Sequence, residues 1–233
     1  DKVIASIFVN PMQFGANEDI DNYPKTLSQD QERLKEVNTD LLFTPTPKII
    51  YPKGTGENSF VEVPNISDVY CGASRPGHFR GVATVVCKLF NLVQPDFACF
   101  GTKDYQQLQV IKTMVEDLSM PIKIIPVNTI REPSGLAMSS RNERLSNEQR
   151  KVAPHIYRIL NEAKLLKSKK SVQEIETFVT QQVDAVPHMK MEYFSIVNTK
   201  TLQPLTAWHE KCDAVGCIAV YCGDVRLIDN ICF

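Results

Sequence analysis

Between residues 3 and 130 the apolar residues switch repeatedly between two spacings, continuous β-branched runs and stripes with a helical period. Val3–Val9 reads as a strand, and Ser28 with Gln31 reads as a capping-box start for a helix ending near Val37. Asp40–Phe43 follows as a strand. Residues 81–93 then place Val82, Val85, Val86, Leu89, Phe90 and Val93 on one helical face. Pro95–Phe100 is the next strand, the helix 105–118 is expected to bury Leu108, Ile111, Val115 and Leu118, and Ile122–Ile130 returns as a strand. Strands that alternate with helices form parallel sheets, because each crossover must carry the chain back to the edge where it started.

Beyond Ile130 the order changes. Two more capping boxes, Ser146 with Gln149 and Ser171 with Glu174, open helices expected over 147–167 and 172–186. Strand-like runs follow at Met191–Val197, Ala214–Cys222 and Val225–Ile231, the last two joined by a tight Gly223-Asp224 turn. The expected architecture is α/β, a Rossmann-like doubly wound parallel sheet over residues 1–130, with a smaller C-terminal α+β domain over 131–233.

A chain of 233 residues, 43% hydrophobic, can bury a substantial core. The net charge of −1 offers no field for a polyanion, so nucleic acid is not an expected partner. No apolar run approaches the ~20 residues of a membrane-spanning helix, so no membrane partner is expected and a cytoplasmic location is. The seven cysteines show no C-x-x-C pair, which favours reduced thiols over disulfides or zinc. Cys212, Cys217 and Cys222 are the one metal-like spacing, and no metal can be assigned from it.

Two polar strings interrupt this pattern at expected strand ends, FGTKDYQQL at 100–108 and GLAMSSRNERL at 135–145. Open α/β sheets bind ligands beyond the carboxyl ends of their strands, so both strings fall where chemistry is expected. Gly101 permits a sharp turn, and Lys103 brings a cation to the start of the next helix. Arg141 can contact phosphate oxygens with its fork, beside the hydroxyls of Ser139 and Ser140. Each string has a plainer reading: Lys103-Asp104 can serve as a helix start, and a Ser-Ser-Arg triplet is an ordinary loop. Likewise Asn10-Pro11 and Gln13 can be turn residues, and Pro76-Gly77 a turn before a helix.

FVNPMQF (8–14), RPGHFRGV (75–82), FGTKDYQQL and AMSSRN (137–142) occur in one order along the chain. Together they resemble the successive signatures of the pantoate–β-alanine ligase family, a nucleotidylyltransferase branch of the Rossmann-like folds. The resemblance implies condensation of pantoate with β-alanine at the expense of ATP through a pantoyl adenylate, with Mg²⁺, in a homodimer. It implies that Gln13 and Gln107 bind pantoate, with Gln13 also beside β-alanine and Asn10 in the same pocket. It assigns ATP to Gly101, Thr102, Lys103, Asp104, Ile130 through its backbone, Met138, Ser139, Ser140 and Arg141. Arg75 and His78 match positions at the mouth of the site, and Tyr23 and Asp30 positions in a flap, with roles left open.

The family's first strand leads into a loop of the type P-T-M-G-x-L-H-x-G-H, whose histidines stabilise the charge that develops during adenylation. His78, His155, His188 and His209 form no H-x-G-H pair. The chain is therefore expected to be an N-terminally truncated form that lacks the first βα unit and is inactive by itself. Two alternatives stay open, a non-catalytic substrate-binding fragment and a different adenylyltransferase of the same fold.

Overall fold

The computed structural model describes residues 2–15, 20, 26–208 and 213–233. The chain divides into two compact units, Asp1–Pro95 with Thr113–Ser119, and Asp96–Lys112 with Met120–Phe233.

In the first unit, β1 (Ile4–Ser6) and β2 (Leu41–Phe43) pair in parallel, with α1 (Leu27–Glu36) as their crossover. The residue that precedes α1 is Thr26, and the expected capping box at Ser28 is not formed. The Thr26 hydroxyl donates to the Asp30 carboxylate at 2.9 Å, so an acid sits in the first turn where the helix dipole favours it. Two short helices, α2 (Pro47–Ile50) and α3 (Cys71–Ser74), lead to α4 (His78–Val93), which begins one turn earlier than the apolar stripe alone predicts. Gly77 precedes it at φ +79, a left-handed conformation suited to glycine. Phe79, Val82, Ala83, Val85 and Val86 form its buried face.

In the second unit, β3 (Phe97–Gly101) and β4 (Lys123–Val127) are parallel in register Phe97 to Lys123; α5 (Tyr105–Asp117), which connects them in sequence, belongs to the second unit through Lys112 and to the first from Thr113. The buried apolar residues of α5 are Leu108, Val110, Ile111 and Met114, with Gln106 and Gln109 buried beside them; Leu118, expected inside, is 50% exposed because the helix ends before it. A Pro154 ring cannot donate to the preceding turn, so the helix expected over 147–167 is two, α6 (Asn147–Val152) and α7 (His155–Leu165). Both capping boxes form, at Ser146 with Gln149 before α6 and at Ser171 with Glu174 before α8 (Val172–Asp184).

The antiparallel sheet has the order β5 (Met189–Asn198), β6 (Ala214–Cys222), β7 (Val225–Cys232). Every residue of the central β6 except Tyr221 is buried. Ile156, Ile159 and Leu160 of α7 and Val172, Ile175, Val179 and Val183 of α8 belong to the same core as Ile196, Ile218, Val220 and Leu227 of the sheet. Each such side chain contributes about 1.5–3 kcal/mol by leaving water, which makes this core a firm support for whatever its rim carries. Gly223 turns the β6–β7 hairpin at φ +57, as the first position of a two-residue loop requires.

Candidate active site

In the first unit Asn10, Gln13, Arg75 and His78 gather around one turn. Pro11–Gln13 is a single 3₁₀ turn whose proline sits where no N–H is needed. Asn10 before it is 2% exposed, and its carboxamide is fully engaged. Its Oδ1 accepts from the Met12 N–H at 3.2 Å and the Tyr51 hydroxyl at 2.8 Å, while its Nδ2 donates to the Gly81 carbonyl at 3.0 Å and approaches Gln13 Oε1 at 3.4 Å. Two donors and two acceptors are all an asparagine side chain has. Asn10 therefore braces the turn. Burial pushes the Tyr51 phenol up to about 12, against the lowering effect of its bond to Asn10, so it remains a donor at neutral pH.

Arg75 and His78 converge on the same turn from the start of α4. His78 Nδ1 lies 2.9 Å from the Gln13 carbonyl and Arg75 Nη2 lies 3.4 Å from it. A carbonyl only accepts, so Nδ1 carries the proton, and Nε2 presents its lone pair to Arg75 Nη1 at 3.1 Å. Gly81 completes the cradle. A Cβ added there would stand 2.5 Å from the Met12 carbonyl oxygen and 2.7 Å from Gln13 Cα, so only glycine lets helix and turn approach this closely. The backbone of Gln13 is thus fixed by three neighbours.

In the second unit the two polar strings meet. Lys103, Ser139 and Arg141 line one depression, with Asn142, Tyr157, Arg226 and Asp229 in its walls. Lys103 leaves the end of β3, its side chain 17% exposed and its Nζ 3.8 Å from Asp104. Thr102 continues the β3–β4 ladder through its N–H to the Val127 carbonyl at 2.8 Å, and its hydroxyl is 3.3 Å from that of Thr129. Gly101 does not adopt a conformation reserved for glycine; it ends β3, and a Cβ there would meet open space. Ser139 accepts from the Arg141 N–H and so starts the 3₁₀ turn Ser140–Arg144.

Ionic and aromatic contacts brace the walls. Arg131 forms a two-pronged pair with the buried Asp229, at 2.6 and 2.9 Å, and its guanidinium lies 3.5 Å from the centre of the Tyr157 ring. Arg226 holds Glu192 at 2.6 Å. The lining carries three cationic side chains, Lys103, Arg141 and Arg226, against one carboxylate, Asp229, which makes the depression cationic, the sign a triphosphate requires. Asn142, 3% exposed, donates to Glu132 at 2.9 Å and to the Ala137 carbonyl at 3.1 Å, which holds the Ser-Ser-Arg loop from beneath.

The other expected residues are less gathered. Gln107 is half-buried on α5, Met138 is 50% exposed, and Ile130 is 63% exposed with its carbonyl taken by the Met138 N–H at 2.9 Å. Ser140 opens the 3₁₀ turn, and Asp30 belongs to α1. Tyr23 lies outside the described residues. Arg131, Asp229, Asn230 and Tyr157 escape sequence reasoning because partners such as Arg131 and Asp229 are 98 positions apart.

Solved structures of similar fold define its class. A crystal structure of pantoate–β-alanine ligase (pantothenate synthetase) from Thermus thermophilus superposes with a TM-score of 0.92 at 45% identity, over 99% of this chain and 83% of that one. The Francisella tularensis pantoate–β-alanine ligase, solved with β,γ-ATP and β-alanine, gives 0.79 at 37% identity, over 100% and 79%. The parallel strand pairs with their helices, and the three-stranded C-terminal sheet, make this an α/β nucleotidylyltransferase fold with a small C-terminal domain. Curated pantothenate synthetases of Colwellia psychrerythraea and Shewanella pealeana are 56% and 57% identical, the chain covering 82% and 81% of their lengths. The Pantoate-beta-alanine ligase family matches residues 1–232, and the chain belongs to it.

Proposed function

We propose that this protein joins pantoate to β-alanine, driven by ATP, with Lys103 and Arg141 on the triphosphate and Gln13 and Gln107 on pantoate. The pantoate carboxylate attacks the α-phosphorus, the bond to the β-phosphate breaks, and pyrophosphate leaves. The amine of β-alanine then attacks the acyl carbonyl of pantoyl adenylate and AMP departs. Neither step needs a covalent bond to the protein, so catalysis rests on placement and charge. The observation that carries this reading is the meeting of Lys103, Ser139 and Arg141 around one cationic depression in a chain of this family.

The open space over Gly101 supports its role, with Asp104, beside the ribose, since a ligand can approach that backbone closely. The bracing of the Gln13 carbonyl supports a fixed pantoate contact, with Asn10, Arg75 and His78 as its positioning residues. Thr102, Ile130, Met138, Ser139 and Ser140 complete the proposed nucleotide contacts, and Asp30 and Tyr23 the flap. The donor set beside Lys103 offers one carboxylate, Asp104, which fits a Mg²⁺ carried mainly on phosphate oxygens and water. Residues 1–130 as the nucleotide and pantoate domain, 131–233 as a lid, a homodimer and a cytoplasmic setting belong to the same proposal. No described helix is long and apolar enough to cross a membrane.

In the full-length protein, Gln13→Ala or Gln107→Ala should lower kcat/KM for pantoate about 10²–10³-fold, the usual cost of one preorganised polar contact, and change ATP use far less. A fall of less than about tenfold in both variants would refute the assignment.

A further inference from the structure

We propose that Asn230, on the last strand, is a positioning residue for the triphosphate lysine. This rests on the reading of Lys103 as the residue that meets the phosphates. Asn230 Nδ2 donates to the Thr102 carbonyl at 2.8 Å and to the Lys103 carbonyl at 2.9 Å. Both hydrogens of the amide are used, and an amide group is the one neutral side-chain group that offers two donors from a single atom. Beyond the Thr102 N–H the chain leaves the β3–β4 ladder, and neither of these carbonyls has a backbone donor among the described residues. The bonds that would otherwise fix the strand-to-helix corner come from a residue 127 positions away.

Two held carbonyls in succession fix the peptide plane between Thr102 and Lys103, and with it the direction in which the Lys103 side chain leaves the backbone. Asn230 itself sits on a paired strand opposite Cys217, and its own N–H donates to Asp229 Oδ1 at 2.8 Å. Asp229 in turn grips Arg131, which pairs with Ala137 at the root of the Ser-Ser-Arg loop. Adjacent residues of β7 therefore tie down both polar strings. The corner has a second anchor, since the Tyr105 hydroxyl donates to the Thr199 carbonyl at 3.0 Å. Loss of Asn230 should thus tilt the corner without releasing α5. Asn230 carries no charge, so its influence on the nucleotide passes through the placement of Lys103.

The test is pantoate-dependent exchange of pyrophosphate into ATP, in the full-length enzyme, for Asn230→Ala, Asn230→Asp, Lys103→Ala and the double variant Asn230→Ala/Lys103→Ala. Asn230→Ala should lower kcat/KM for ATP about 10- to 100-fold, as a misplacement near 1 Å does, with KM for pantoate within about twofold. Asn230→Asp, equal in volume, turns an oxygen toward two carbonyls and should lose at least as much. Its deficit relative to wild type should narrow as acid protonates the new carboxyl and restores one donor. In the Lys103→Ala background the same Asn230→Ala change should cost less than about threefold, because residues that act as one unit are not additive. Losses that multiply in the double variant, or that fall equally on pantoate and ATP, would make Asn230 a merely structural residue and overturn the proposal. Lys103→Ala without effect on ATP would overturn it together with the phosphate reading; Lys103→Ala crippling and both Asn230 variants harmless would overturn it alone.

Discussion

Gly81→Ala should impair pantoate use through a single methyl group that never touches substrate. The added Cβ would stand 2.5 Å from the Met12 carbonyl oxygen, where ordinary contact begins at 3.4 Å, so helix and turn must part by close to 1 Å. All three nearest atoms are backbone, and none can swing aside as a side chain would. The part that moves is the turn carrying Gln13, because α4 is anchored by its buried face while Pro11–Gln13 is only three residues long. Displacements of this size cost about 10²-fold in rate when they misplace a binding group. Stability should fall by no more than about 2 kcal/mol, since overpacking costs about 1–3 kcal/mol and alanine regains about 1 kcal/mol over glycine in a helix. Steady-state kinetics on the full-length enzyme, varying pantoate and ATP separately, reads the difference. A kcat/KM for pantoate within about threefold of wild type, in a variant that melts normally, would show that the turn yields without moving Gln13.

Asp229→Ala leaves Arg131 without its carboxylate in a site where the pair is largely buried, and should destabilise the fold by about 3–5 kcal/mol. Chemical denaturation measures this, and a loss below about 1 kcal/mol would mean that Tyr157 and solvent suffice for the guanidinium. Tyr51 and Tyr105 are both raised from 10.0 to about 12 by burial, so the folded state resists their ionisation. Their contribution is intact below pH 10 and is lost as pH rises toward 12, so the urea midpoint should fall across that window. Tyr51→Phe should make the fall shallower while costing about 1 kcal/mol at neutral pH for the lost bond to Asn10. An unchanged slope would exclude Tyr51 as a source of the alkaline sensitivity.

Much of the fold was legible because it depends on local chemistry. Ser146 and Ser171 announce α6 and α8 through side chains that reach only three residues, and the β6–β7 hairpin follows from Gly223. Ser28 with Gln31 has the spacing of a capping box, but the helix starts after Thr26, whose hydroxyl is the partner of the first-turn acid Asp30. The apolar stripe runs past Pro154 in register and so hides the break there. In the site, Lys103, Ser139 and Arg141 could be named from motifs. Arg131, Asp229 and Asn230 could not, since their meaning lies in contacts about a hundred residues apart, which no window of sequence spans.

The junction of Asn10 with Pro11 also bears on how the protein ages. Asparagine side chains decay when the nitrogen of the following residue, stripped of its hydrogen, attacks the carboxamide carbon and closes a five-membered imide. Pro11 has no hydrogen on its nitrogen to lose, so this route is closed at Asn10. The product would be damaging here. An aspartate at this position would turn an anionic oxygen toward the Gly81 carbonyl and Gln13 Oε1, where the amide now donates. The residue that braces the turn is thus followed by the one amino acid that shields it from spontaneous conversion.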